Sequence, residues 1–180
     1  MKKAFTMLEL VFVIVVIGVL AAAIIPRMDR DNIAEATIQL QSHIRYTQHL
    51  AMVDDKYNAT DPTWFEKRWQ IRFSDNKSYS VVSNNNNTFA ANPQNSAQAL
   101  QNIDLEDAYG VALSFSGSCG DNPIISFDHL GRPMVGDLGG DGAPYVEDRL
   151  IQDNCVITVA DGGVHFDITI HPETGYVQGI

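Results

Sequence analysis

"KKAFTMLELVFVIV" (residues 2–15) sets two lysines, a short bridge and a long apolar run at the start of the chain. From Leu10 to Ile25 no side chain is charged or strongly polar, yet Glu9 stands at the mouth of that run. The run has the composition of a segment meant for lipid, and lipid is where a carboxylate is least favoured. How that conflict resolves decides what kind of molecule the remaining residues build.

Two readings leave the carboxylate unused. As a secretory signal, Lys2-Lys3 is the basic region, Leu10–Leu20 the apolar region and Ala21-Ala22-Ala23 the cleavage site. Glu9 and an apolar pattern that continues past Ala23 stand against it. As a plain membrane anchor, Phe5 to Ile25 measures about 31 Å as a helix, against a hydrocarbon core of about 30 Å. The lysines then hold the N-terminus in the cytoplasm, with the rest of the chain outside. Glu9 lies about 6 Å along from Phe5, near the interface, so it costs less than the roughly 2.5–3.5 kcal/mol of a mid-membrane carboxylate. In this reading it still has no purpose.

A third reading gives it one. Lys-Lys-Ala-Phe-Thr-Met-Leu-Glu-Leu (residues 2–10) resembles the class III signal sequences of type IV pilins and of the pseudopilins of type II secretion. The resemblance implies cleavage by a prepilin peptidase between Ala4 and Phe5, with N-methylation of Phe5. Glu9 then falls on the family's glutamate, the fifth mature residue, and Pro26 on its proline. Ala4 departs from the pattern, which nearly always has glycine there. The chemistry follows directly. Cleavage creates an α-amino group that is positive at neutral pH. In an apolar bundle of such helices, Glu9 of one subunit pairs with the amine of the next, and a buried pair of this kind fixes register.

Beyond Pro26, which is expected to kink the helix, Ile33, Thr37, Leu40, Ile44, Thr47 and Ala51 recur at spacings of three and four. Tyr46, Leu50, Val53 and Tyr57 form an adjacent stripe. This predicts an amphipathic helix to about Tyr57, one face of which covers a globular domain. With the apolar half it makes a rod of about 53 residues, near 80 Å.

After the helix the period changes to two. Strands are predicted at 69–73, 78–82, 111–115, 124–127, 132–135, 155–159 and 164–170, with a short one around Tyr176-Val177. Asp75-Asn76-Lys77 is the turn of the first hairpin. The Asn-rich stretch Ser83–Asn102 reads as an extended loop. "ISFDHLGRP" (125–133) and "ITIHPETGYV" (168–177), with "IQLQSHIRYTQHLAM" (38–52), look like the H-type minor pseudopilins and FimT-like minor pilins. The expected fold class is α+β: a long N-terminal helix, half transmembrane and half amphipathic, packed on an antiparallel two-sheet β domain, the pilin fold. The expected organisation is a leader (1–4), a transmembrane and assembly helix (5–25), an amphipathic helix (26–57) and a periplasmic β domain (58–180).

The other candidate sites are weaker. Cys119 and Cys155 are the only cysteines; if their domain lies outside the cytoplasm a disulfide is the economical reading, the alternative being two buried thiols. Asp137, Asp141, Glu147 and Asp148 sit in a glycine-rich stretch that could offer oxygen ligands to Ca²⁺, but without the spacing of an EF-hand; a solvated acidic turn is preferred. "EKRWQIRF" (66–73) mixes basic and aromatic residues, as single-strand nucleic-acid surfaces do. Alternation there puts Trp69, Ile71 and Phe73 on one face and Arg68, Gln70 and Arg72 on the other, the pattern of a half-buried strand. The net charge of −10 repels phosphate, and the tail "YVQGI" lacks the arginine that DNA-binding FimT-like pilins carry. His129, His165 and His171, with Asp128 and Asp167 nearby, match no catalytic motif, so no enzyme activity and no cofactor are expected. The resemblance implies a minor pseudopilin of a type II secretion system in the bacterial inner membrane. Its partners would be other pseudopilins, the prepilin peptidase and the inner-membrane assembly platform, with nucleic acid not favoured. The alternative is a minor pilin of a type IV pilus or competence machinery, a tip subunit that touches DNA or a surface.

Overall fold

The computed structural model describes residues 6–84, 87–120, 124–136 and 149–179, with the backbone alone for 22–31. Helix α1 (Met7–Val53) leads into a short 3-10 turn (Trp64–Lys67). Strands β1 (Gln70–Ser74), β2 (Ser78–Ser83), β3 (Thr88–Phe89) and β4 (Ile103–Asp104) follow, then a one-turn helix α2 (Leu105–Tyr109). Strands β5 (Ala112–Gly117), β6 (Ile124–Phe127), β7 (Pro133–Val135), β8 (Cys155–Asp161), β9 (Val164–Ile170) and β10 (Val177–Gln178) complete the described elements. They form two antiparallel sheets: β3-β2-β1-β6-β7, with β4 beside β2, and β10-β9-β8-β5. The architecture is α+β.

The second half of α1 supplies one wall of the core. Ile33, Thr37, Leu40, Ile44, Thr47 and Ala51 are all buried, joined by Ala36 and His43. Two threonines can line an apolar seam because each hydroxyl donates back one turn, Thr37 to the Ile33 carbonyl (2.7 Å) and Thr47 to the His43 carbonyl (2.8 Å). Opposite them lie Ile71, Phe73, Tyr79, Ile125 and Phe127 from one sheet and Ile157, Val159, Ile168 and Ile170 from the other. The helix stops short of the expected Tyr57. Asp54 is its C-cap, and its carboxylate takes the Trp69 indole N–H (2.9 Å) and the Lys56 ammonium (2.5 Å). Val53 and Tyr57 are therefore exposed rather than part of the packed stripe.

A chain of hydrogen bonds crosses the seam. The Tyr109 hydroxyl donates to Gln39 Oε1 (2.6 Å), and Gln39 Nε2 donates to the Tyr79 hydroxyl (3.4 Å), which lies 2.7 Å from His43 Nδ1. Burial pushes the Tyr79 phenol up, so it keeps its proton beside the His43 ring. Burial also lowers the His43 pKa from its ordinary value.

The turns at Gly131 and Gly175 meet on α1. Gln48 Nε2 donates to the Gly131 carbonyl (2.9 Å) and to the Thr174 carbonyl (3.2 Å), while Arg45 Nη2 donates to the Val177 carbonyl (2.7 Å). Gly175 has a φ of +62°, and a Cβ there would collide with the Gly131 carbonyl oxygen. Only glycine allows the turns to close on each other.

The stretch Ser83–Asn102 is not an extended loop. Ala90 N–H bonds to the Val81 carbonyl, Leu100 N–H to Ala90 and Val81 N–H to Leu100, and Ala90 and Leu100 are buried. Asn92 and Asn95 accept from backbone N–H groups two residues on, which makes the tight turns between. The polar composition belongs to a pinned hairpin whose two buried anchors are small or isolated in sequence.

Gly175→Ala should lower the unfolding free energy by about 2–3 kcal/mol, since it combines left-handed backbone with a backbone clash. Urea unfolding measures it, and a loss under about 0.5 kcal/mol contradicts the turn junction. For His43, a depressed pKa means that the unfolded chain binds the proton more readily. Stability is then full above about pH 6.5 and falls as the pH drops through and below that value. His43→Gln, which keeps an acceptor for Tyr79, should flatten the dependence of the melting temperature on pH in that window.

Candidate assembly surface

Thr6 is the N-cap of α1, and its hydroxyl accepts from the Glu9 backbone N–H at 3.3 Å. The spacing Thr-x-x-Glu is the sequence signature of a capping box, and it is legible in residues 6–9. Glu9 therefore has a local role that the apolar pattern alone does not reveal: an acidic residue in the first turn faces the positive end of the helix dipole. That role needs no apolar surroundings, and the surroundings are what set this turn apart.

Between Met7 and Leu20 every large apolar side chain is exposed, from 39% to 86%. These side chains point to all sides of the helix, not to one stripe. A helix that is apolar all round is one that something else surrounds. Glu9 is exposed within this stretch. Among the described residues no helix is long and apolar enough to cross a membrane. The described side chains of the apolar run end at Ala21, about 21 Å of helix from Met7. Phe5 and the side chains of residues 22–25, which complete the expected span, lie outside the described residues, as does Ala4. α1 continues through Pro26 as one helix.

Cys119 and Cys155 form a disulfide, with their Cα atoms 5.1 Å apart. It joins the end of β5 to the start of β8, where Gly117 pairs with Cys155. It closes a loop across a sequence separation of 36. The four acidic residues Asp137, Asp141, Glu147 and Asp148 lie outside the described residues. Among those described, no group of three or more His, Cys, Asp or Glu is placed to hold a metal.

The basic-aromatic stretch departs from the expected half-buried strand. Arg68, just before β1, and Gln70 are 6% and 1% exposed and Arg72 is half-buried, so the polar face is largely covered as well as the apolar one. The Arg68 guanidinium lies over the Trp64 ring at 4.6 Å and its Nη1 is 3.0 Å from Met134 Sδ. Lys67 is held by Asp61 at 2.6 Å, and with Thr63 it keeps that carboxyl down to about 2. Alternation alone could not show that Arg68 reaches Met134 on β7. The histidines and carboxylates of the β domain are placed in local structure. Buried Asp128 accepts from the Leu130 N–H, the Arg132 N–H and Arg132 Nε, which closes the turn that contains Gly131. Asp167 accepts from the Thr158 hydroxyl (2.6 Å), His171 stacks on Tyr176, and His129 is exposed. His165 is exposed as well.

Compared with known protein families, with curated proteins and with solved structures, the chain finds no match in any of the three.

The disulfide should contribute about 4 kcal/mol through the loop that it closes. Reduction, or Cys119→Ser with Cys155→Ser, should shift the denaturant midpoint down accordingly. An unchanged midpoint would show that the bond is dispensable to the fold.

Proposed function

We propose that the chain is a filament subunit of the type IV pilin and pseudopilin kind, and specifically a minor pseudopilin of a type II secretion system. The single observation that carries this reading is the helix stretch from Met7 to Leu20, apolar on every side and exposed throughout, with one carboxylate in its first turn. Each such side chain is worth roughly 1.5–3 kcal/mol when taken out of water. A membrane covers the stretch before assembly, and the helices of neighbouring subunits cover it afterwards.

The mechanism uses Glu9. Cleavage between Ala4 and Phe5 removes both lysines and leaves an ammonium one residue before the N-cap. In a bundle of apolar helices Glu9 of one subunit neutralises that ammonium on the next. Subunits that stack out of register leave a charge buried without a partner, which costs several kcal/mol. The carboxylate thus selects register more than it adds affinity. The β domain, closed by its disulfide and folded over the upper half of α1, rides outside the bundle in the periplasm. The buried Arg68 supports a secretion subunit over a DNA-binding one.

Glu9→Ala tests this. Membrane insertion should be unchanged or slightly improved, while filament assembly falls on the order of a hundredfold, the loss expected when one partner of a buried pair is removed. Assembly at the wild-type level in that variant would remove the pairing role.

A further inference from the structure

Three stretches of the chain have the form Asn-x-Ser/Thr with x other than proline: Asn58-Ala59-Thr60, Asn76-Lys77-Ser78 and Asn86-Asn87-Thr88. On the outside of a cell membrane this is the acceptor pattern for N-linked saccharides. The triplet also recurs by chance, so geometry has to separate an acceptor from a coincidence. Asn86 lies outside the described residues. The other two triplets differ in where the hydroxyl of the third residue is directed.

At Asn76 the fold uses that hydroxyl. Asn76 sits in the turn between β1 and β2 with a φ of +54°, and its carbonyl accepts from the Leu113 N–H (2.6 Å). Ser78 opens β2, is buried, and donates its hydroxyl to the Ser74 carbonyl (3.2 Å). An enzyme takes this triplet only if the first hairpin opens.

At Asn58 the hydroxyl is directed at the amide itself. Residues 58–60 are all exposed, in the connection between α1 and the 3-10 turn. The Thr60 hydroxyl donates to Asn58 Oδ1 (2.8 Å), and the Thr60 backbone N–H donates to the same oxygen (3.0 Å). The Asn58 carbonyl accepts from the Asp61 N–H (3.1 Å), which closes the turn. Two donors on Oδ1 fix which way the amide is turned and leave Nδ2 as the open atom. An amide nitrogen is a poor nucleophile, because its lone pair is shared with the carbonyl. It becomes a good one on losing a proton, and donors on Oδ1 stabilise the charge that then develops.

We propose that Asn58 is the acceptor of an N-linked saccharide, with Thr60 as its positioning residue. The donor is a saccharide carried on a lipid pyrophosphate. The bond from Asn58 Nδ2 to the sugar C1 forms, and the bond from C1 to the pyrophosphate oxygen breaks. The Nδ2 proton passes to a base of the transferase, and the lipid pyrophosphate leaves with the bonding pair. The compartment follows from the Cys119–Cys155 disulfide, since such bonds persist outside the reducing cytoplasm. The inference therefore does not rest on the filament reading. It is compatible with it: the loop follows the C-cap of α1, at the end of the helix about 70 Å from Met7, so a saccharide there leaves the apolar stretch clear.

Peptide mass spectrometry of the full chain, purified from the cells that make it, tests the assignment. The peptide that holds Asn58 should carry a saccharide on that residue, and the one that holds Asn76 should carry none. Thr60→Val keeps the shape of the side chain and removes its hydroxyl; occupancy of Asn58 should fall at least about tenfold. Its melting temperature should stay within about 2 °C of a wild-type chain stripped of saccharide, because the residue is exposed. Thr60→Ser, which restores the hydroxyl, should regain most of the occupancy. A bare Asn58 in the wild-type chain, equal occupancy in Thr60→Val, or a saccharide on Asn76 in place of Asn58 would overturn the proposal. None of these results bears on where the chain begins, so the filament reading stands or falls separately.

Discussion

The seam between the upper half of α1 and the two sheets holds the rest in place. Its apolar residues, from Ile33 to Ala51, belong to one cluster with residues of both sheets. The polar groups that line it are satisfied within it: threonines to their own backbone, His43 to Tyr79, and Gln48 and Arg45 to carbonyls of the glycine turns and the last strand. A helix fixed so firmly at one end leaves the other end with a fixed direction. The apolar half, from Met7 to Leu20, continues the same helix and is exposed.

That division of one helix between two environments carries the functional reading. In the proposed reading, lipid or other helices surround the lower half, whose large apolar side chains are exposed from Met7 to Leu20. The upper half is committed to its own domain and leaves only a narrow outer stripe. A chain built in this way is suited to be moved from one apolar surrounding to another with its domain unchanged. Glu9 then limits which surroundings are acceptable, because its charge is tolerable at a membrane surface and, inside a bundle, only beside an opposite charge.

Much of this is legible in the sequence, for physical reasons that differ along the chain. The buried stripe of α1 is readable because spacings of three and four put residues on one face whatever lies opposite. Strands 124–127 and 164–170 are readable to the residue because short turns bound them. The covered polar face of β1 is not, since alternation says which residues share a face and nothing about what packs on it. The Asn-rich stretch misleads for a related reason: its folding depends on Ala90 and Leu100, two isolated buried residues that no period announces. Strands β3 and β4 are only two residues long, below the length at which a pattern exists. Thr6 is a different kind of miss, for the capping spacing is present and the apolar run beside it masks it. Of the candidate sites, the disulfide stands in the structure, and Glu9 stands in the first turn of an exposed apolar helix. The processing junction and the acidic glycine-rich stretch lie outside the described residues.

The central claim is that this chain is cut and then assembled, and the mass of its N-terminal peptide in its own membranes tests it most directly. The account predicts a chain that begins at Phe5 with a methylated amine. A chain that still begins at Met1, or one that begins at Ile24 after an ordinary signal cleavage, would contradict it.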